Sequence, residues 1–441
     1  MSEKVYVLGH KNPDTDSFCA AVSYARLKNR LGDEKVVAGR LGDASAETSW
    51  VFDYWKQELP EFVADVKLRA KDIMNKEMLV VAKRDSLKSV GEKIHNTESN
   101  HAFVCCTEGK AQGIVTLGDL GAFCLEKVTK SQAGEDVNAN EILEQPVSDL
   151  MSTQMVAIDA EAEMDKIKSV VLNNRFRSFP VVNKDNQLIG SISRQEVITA
   201  KPKQVILVDH NEKSQAVSGI DEADVIEVVD HHRIGDVQTM GPIFFLVEPV
   251  GCSCTVVAKL YKMNGLEPEP EQAGLMLSAI ISDTVLFRSP TCTDEDVKVA
   301  EELAAICGVD LQAYGMELLG SSSPLTSNTA TEVLNTDLKE FSLGGKSLMI
   351  GQVMMTDNQK FRERKQELLE EMQKTLNNNE LDFVGLMCTN ILEEATYFLA
   401  LGDTEIAEKA FGKPVQDDEV HLPGVLSRKK QIVPPITKAL T

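Results

Sequence analysis

The 441-residue sequence has no Cys-x-x-Cys pair, no excess of basic residues and no apolar run long enough to span a bilayer. Each absence removes a class of protein. Nine scattered cysteines in mostly apolar contexts do not form a thiol motif and read as buried, reduced thiols. With 46 Lys and Arg against 68 Asp and Glu, a net charge of −22, the chain lacks the basic footprint of a nucleic-acid binder. Without a spanning segment or a signal-peptide layout, the expected location is the cytoplasm, with no membrane partner. What is present is ordinary for globular protein: 43% hydrophobic and 26% charged residues, and enough length for more than one domain.

Chemistry first shows in "VYVLGHKNPDTDSF". The apolar run ending at Gly9 predicts a buried strand, and the spacing of Phe18, Ala21, Val22 and Ala25 predicts a helix from Ser17. Between them His10, Asp14 and Asp16 share one tight connection. Asn, Pro, Asp and Ser are also ordinary turn residues, so this loop alone leaves a metal site and turn chemistry open. The rest of the chain repeats the pattern. "KQVILVDHNE" is an apolar strand ending in Asp209 and His210, and "DVIEVVDHHRIGD" is another ending in Asp230, His231 and His232. "LMLSAIISDTVLFRSP" predicts an apolar helix leading to Asp283, before a loop with Arg288. Four of the seven histidines therefore sit at a few strand ends among carboxylates, the edge of an open parallel sheet where ligands bind. Oxygen-rich sites with one or two imidazoles suit manganese or cobalt better than zinc. A carboxylate shared between two such ions gives the geometry that activates a bridging water for in-line phosphoryl displacement.

The chain also repeats itself at an offset of 77 residues: "DIMNKEM" at Asp72–Met78 falls on "DLMSTQM" at Asp149–Met155, and "GIVTLGDL" on "GSISRQEV". Each copy reads as strand, helix, two strands and a helix. Residues 66–200 resemble a pair of CBS domains. That resemblance implies a small α/β module binding adenine nucleotides (AMP, ADP, ATP) in clefts between the copies. Thr116 with Asp119, and Ser193 with Glu196, would contact phosphate and ribose, the Glu being a departure from the usual Asp. Arg177 and Ser178, just before a strand, are further phosphate candidates.

"GHKNPDTDS", "LVDHNE", "DHHR" and "SDT" are together similar to the signature segments of the DHH phosphoesterases, and with the C-terminal "SRKKQIVP" the chain resembles a family II inorganic pyrophosphatase. The implied fold is α/β. A DHH catalytic domain with a parallel sheet spans 1–65 and 201–322. The CBS module is inserted into it, and a smaller C-terminal α/β substrate-binding lobe spans 323–441. The resemblance makes His10, Asp14, Asp16, Asp209, His231 and Asp283 metal ligands. Asp209 bridges two Mn2+ or Co2+ ions, His10 and Asp14 complete one site, and Asp16, His231 and Asp283 complete the other, with further Mg2+ entering with substrate. His232 faces pyrophosphate, and Asp230 and His210 support the ligands. Arg428, Lys429 and Lys339 of "DLKEF" hold phosphate, in place of the solvated basic run that an isolated RKK triplet suggests. The implied reaction is hydrolysis of pyrophosphate to two phosphates by direct attack of a metal-bridging hydroxide, needing no nucleophilic serine or cysteine. AMP or ADP would inhibit, ATP or diadenosine polyphosphates would activate, and the protein would form a homodimer or higher homo-oligomer. The alternative is a DHH phosphoesterase acting on short polyphosphate or oligonucleotides. The "LGGK" at Leu343–Lys346 lacks the histidine that nucleic-acid members carry in their second lobe. A non-catalytic nucleotide sensor would require missing ligands, and none of the six is missing.

Overall fold

A computed structural model describes residues 4–32, 35–97, 99–132, 138–321, 325, 328–356 and 358–440. The chain divides into two compact units, one made of Ala64–Val205 with Val217–Val225, the other of Ser2–Val63, Ile206–Ala216 and Ile226–Thr441. The inserted unit thus takes in a short return segment, Val217–Val225, that the 66–200 boundary leaves out. The expected boundary at 322/323 lies outside the described residues.

The larger unit contains two sheets. In the first, six strands lie in the order Phe244–Val247, Asp224–Asp230, Gln204–Val208, Val5–Leu8, Val36–Arg40, Glu61–Phe62. The pairs Val5–Leu8 with Val36–Arg40, Val36–Arg40 with Glu61–Phe62, and Asp224–Asp230 with Phe244–Val247 are parallel. Continuous apolar runs such as "QVILV" suit strands covered on both faces. The helices Thr15–Arg30, Ser253–Met263 and Pro270–Thr284 pack together through a core that includes Phe18, Tyr261 and Leu277. Pro270 opens its helix at a position where its missing N–H costs nothing. That helix is apolar nearly all round and correspondingly buried, which fixes the height at which its last turn presents Asp283.

The second sheet is mixed: Lys339–Leu343, Lys346–Met355, Phe383–Asn390, Ala395–Gly402 and Glu419–Pro423, side by side in that order. Alternation along Phe383–Asn390 sends Phe383 and Met387 to one core and Val384, Leu386 and Cys388 to the other. Phe361, Leu368 and Met372 of the helix Asn358–Asn378 join the second of these cores, and Ile436 of Val433–Leu440 joins the first.

The inserted unit has two three-stranded sheets, Val80–Ala82, His101–Cys105, Ala111–Thr116 and Ile158–Asp159, Ser178–Val182, Leu188–Ser193. Each has one parallel and one antiparallel pair, with a register shift after Val104 in one copy and after Val181 in the other. The copies exchange their leading segments: Asn75 pairs with Ser191, and Ser152 with Ile114. Met74 fills the space over Gly190 and Met151 the space over Gly113, where an added methyl would lie under 3.0 Å from the thioether. Glycine is required there by close approach. All nine cysteines are free, but Cys124 is exposed on the helix Leu117–Gln132, against the expectation of burial.

Candidate metal centre

Three neighbouring strands deliver acid and histidine at their carboxyl ends. Val5–Leu8 runs into His10 and then Asp14, which caps the helix Thr15–Arg30 by accepting from Ser17 N at 3.0 Å. Gln204–Val208 ends at Asp209, in the left-handed region at φ 61°, a conformation aspartate tolerates better than most residues. Asp224–Asp230 leads into His231 and His232. Asp283 arrives from the last turn of Pro270–Thr284, after which Val285, Leu286 and Phe287 all take positive φ. Three such residues in a row mark a strained exit beside the cluster.

The candidate ligands converge in two groups. One ligand atom from each of His10, Asp14 and Asp209 lies within 4.8 Å of the others, and the same holds for Asp16, His231 and Asp283. Asp209 stands between them, with Oδ2 3.4 Å from His10 Nε2 and Oδ1 3.5 Å from His231 Nε2. Asp16 and Asp209 are fully buried. Among the described residues no lysine or arginine is paired with Asp14, Asp16, Asp209 or Asp283. Burial, reinforced by the charge of Asp16, pushes Asp209 up to about 7, and the same two causes push Asp283 well above the carboxylate range. Burial opposes the charged form of His231, but its hydrogen bond to Asp209 and the charges of Asp16 and Asp209 together outweigh this and hold the imidazole at about 9. Two buried carboxylates pushed toward their protonated forms, with no lysine or arginine beside them among the described residues, fit a place for divalent cations, and the oxygen and imidazole donors fit manganese or cobalt.

Metal must displace those protons. Binding of Mn2+ to the metal-free protein should therefore tighten as pH rises through about 7 and then about 9, by roughly tenfold per pH unit for each proton released. Calorimetry in buffers of different ionisation enthalpy measures the released protons directly. An affinity independent of pH in that window would contradict this picture.

His232 is held differently. Asp230 Oδ1 accepts from His232 Nδ1 at 2.9 Å and from the backbone N–H groups of His231 and His232 at 2.7 and 3.1 Å. That carboxylate contact raises the His232 imidazole above its ordinary value, against partial burial. It also commits Nδ1, leaving Nε2 for another partner. Asn211 in turn donates to Asp230 Oδ2. His210 is buried, its Nδ1 on Val208 O at 2.9 Å and its Nε2 unpartnered, and burial lowers it to about 4.

Sequence reasoning missed the groups that grip the ligands. Ser17 Oγ donates to Asp209 Oδ2 at 2.7 Å and Ser253 Oγ to Oδ1 at 3.1 Å. Ser253 N and Cys254 N donate to the two oxygens of Asp16 at 2.6 and 3.0 Å. Glu47 Oε1 accepts from Thr15 Oγ1 at 2.7 Å and Ser282 Oγ at 2.5 Å, tying the loop of Asp14 and Asp16 to the residue before Asp283. "ETSW" carried no signal for this role.

In the C-terminal sheet Arg428 is 7% exposed, at the start of a π-helical turn, Arg428–Ile432. Its guanidinium donates to Asp337 O, to Asp337 Oδ2 at 2.8 Å and to Ile350 O at 2.9 Å. Lys339 Nζ lies 3.9 Å from Asp337 Oδ1, so two of the three candidate cations meet at one carboxylate, while Lys429 is exposed. In the inserted unit, Thr116 and Asp119 hydrogen-bond reciprocally (Oγ1 to Oδ2 at 2.7 Å), as do Ser193 and Glu196 (Oγ to Oε2 at 2.5 Å), each pair at a helix start. Both pairs thus act as capping boxes in this structure. Ser178 pairs directly with Ser193 across the hairpin, and Arg177 beside it is exposed.

This fold and site define a class: an α/β lobe in which adjacent parallel strands gather carboxylates and imidazoles into groups that fit divalent cations. The family model described as "DHH family, N-terminal domain" matches residues 4–280, and that described as "DHHA2 domain" matches 316–439. A cobalt-dependent inorganic pyrophosphatase of Clostridium perfringens is 30% identical over 100% of this chain and 99% of its own. Manganese-dependent inorganic pyrophosphatases of Methanothrix thermoacetophila and Bacillus subtilis are 33% and 32% identical, over 100% and 99% of this chain and 99% of theirs. The chain belongs to the family II inorganic pyrophosphatases, with DHH and DHHA2 domains. Among the described residues no helix is long and apolar enough to cross a membrane.

Proposed function

We propose that the protein, a manganese- or cobalt-dependent inorganic diphosphatase, hydrolyses pyrophosphate at the six-ligand cluster under the control of adenine nucleotides bound to its inserted unit. The observation that carries the catalytic part is the pair of ligand groups sharing Asp209. His10, Asp14 and Asp209 would hold one ion, and Asp16, Asp209, His231 and Asp283 the other. Bound divalent ions would supply water activation and neutralisation of phosphoryl charge, and Mg2+ would accompany the substrate. His232, oriented by Asp230, gives its proton to the departing phosphate. Arg428, Lys429 and Lys339 bind phosphate oxygens, with Asp337 keeping Arg428 and Lys339 together.

The regulatory part rests on the repeat and its exchanged segments, which support a CBS pair with one nucleotide cleft per copy. Arg177, Ser178, Thr116, Asp119, Ser193 and Glu196 are the contacts, AMP and ADP inhibit, and ATP or diadenosine polyphosphates activate. The assembly is a homodimer. Regulation requires a nucleotide that binds the active and inactive forms unequally.

Phosphate release from pyrophosphate with Mn2+ or Co2+, with and without AMP, tests both parts. Release that AMP slows is expected. Release indifferent to every adenine nucleotide would remove the regulatory half. No release with both metals bound would transfer the chemistry to short polyphosphate or oligonucleotides.

A further inference from the structure

One short segment, Val250–Thr255, is hydrogen-bonded to three of the six candidate ligands, His231, Asp16 and Asp209. Val250 O accepts from His231 Nδ1 at 3.0 Å. Ser253 N and Cys254 N hold Asp16, and Ser253 Oγ holds Asp209. A segment with this task must itself be fixed, and most of what it offers is backbone, which no rotamer preference orients.

The fixing group is a carboxylate outside the cluster. Asp296 is fully buried, and both its oxygens face the segment. Its Oδ2 accepts from Gly251 N at 2.8 Å and its Oδ1 from Thr255 Oγ1 at 2.6 Å. The two bonds bracket Ser253 and Cys254, which hold Asp16 and Asp209, and the first falls on the residue directly after Val250. Gly251 accommodates the approach: a methyl there would sit 3.0 Å from Asp296 Oδ2 and 2.8 Å from Thr284 Cγ2. Asp296 also closes a capping box with Thr293, whose N and Oγ1 donate to Oδ2 at 2.8 and 2.7 Å at the start of the helix Asp294–Cys307. The carboxylate therefore clamps the ligand-holding segment to the end of a helix that supplies no ligand.

We infer that Asp296 is a positioning residue of the metal centre, setting the affinity for both ions through Gly251 and Thr255. It touches neither metal nor substrate. The inference rests on the six residues being the metal ligands. Direct partners of metal ligands typically alter metal affinity by about 10–100-fold; Asp296 acts by holding the segment that supplies several such partners together, and a loss in that range is expected here.

The test is Mn2+ binding to the metal-stripped full-length protein by calorimetry, with circular dichroism to verify folding. Asp296→Asn keeps the shape but replaces one accepting oxygen with an N–H2 group. Thr255→Val removes one of the two clamping bonds and leaves the helix cap intact, so it serves if Asp296→Asn does not fold. Thr293→Ala breaks the cap and leaves both clamping bonds. Asp296→Asn and Thr255→Val should weaken Mn2+ binding by about 10–100-fold and 10-fold or more, while Thr293→Ala lowers the melting temperature and leaves affinity unchanged. Wild-type affinity in folded Asp296→Asn or Thr255→Val, or an equal loss in Thr293→Ala, overturns the inference. Asp209→Asn, measured in parallel, separates the two levels. If it too keeps full affinity, the ligand assignment itself has failed; if it alone loses metal, only the role of Asp296 has.

Discussion

Asp209→Asn should give a folded protein that binds neither ion tightly and releases phosphate at least about 10²-fold more slowly than the parent, since loss of a shared ligand should exceed what outer partners cost. The side chain reaches both histidines, 3.4 Å to His10 and 3.5 Å to His231, through different oxygens. An amide of the same shape offers one oxygen and no charge, so neither ion is well held. The fold should survive, for a reason visible in the titration of the site. Burial and the charge of Asp16 raise Asp209 from 3.8 to about 7. A carboxylate raised in this way supports the metal-free fold at low pH and withdraws that support as pH climbs to about 7. Replacing it with a neutral amide should leave the metal-free melting temperature above pH 7 no lower than the parent's. Bound Mn2+ measured by mass spectrometry, alongside thermal melts of the stripped proteins, checks both halves. An unfolded variant, or one retaining two ions, would count against the bridging role.

His232→Gln should show the opposite signature: both ions bound and kcat lowered by about 10²–10⁴-fold, the usual range for a lost proton donor. Asp230 commits His232 Nδ1 at 2.9 Å and raises the imidazole, so the ring is charged to higher pH and presents its other nitrogen as a donor. The ring lies 3.8 Å from Asp209 Oδ1 yet is half exposed, a position suited to an arriving phosphate. The parent's kcat should fall on the alkaline side as this proton is lost, and the variant should lack that limb. Loss of bound metal in His232→Gln would instead make this histidine a ligand, as its proximity to Asp209 and His231 geometrically permits.

The cluster of candidate ligands was legible because each member comes from a short segment in which an apolar run stops at acid or histidine. The sheet then brings those stops together: Val5–Leu8, Gln204–Val208 and Asp224–Asp230 are adjacent strands. The repeat was legible down to Met74 and Met151, whose exchange across Gly190 and Gly113 the sequence offset contains but does not explain. What escaped reading acts through backbone or through long-range partners. Ser253 N and Cys254 N would hold Asp16 whatever their side chains were, and Glu47 meets Ser282 across 235 residues. Arg428 is expected at the substrate, but nothing in its triplet shows that Asp337 and the Ile350 carbonyl draw it into the interior. Thr116-x-x-Asp119 is ambiguous by nature, since the same spacing that meets a ribose also caps a helix.

We propose that two cations, joined by Asp209, carry the hydrolysis of pyrophosphate. The most direct test is phosphate release by the metal-stripped protein as Mn2+ is added in known equivalents. Release should be negligible without metal, and the rate should saturate only once two ions are bound per chain. Saturation at one ion, or full occupancy of both sites with no phosphate released, would contradict it.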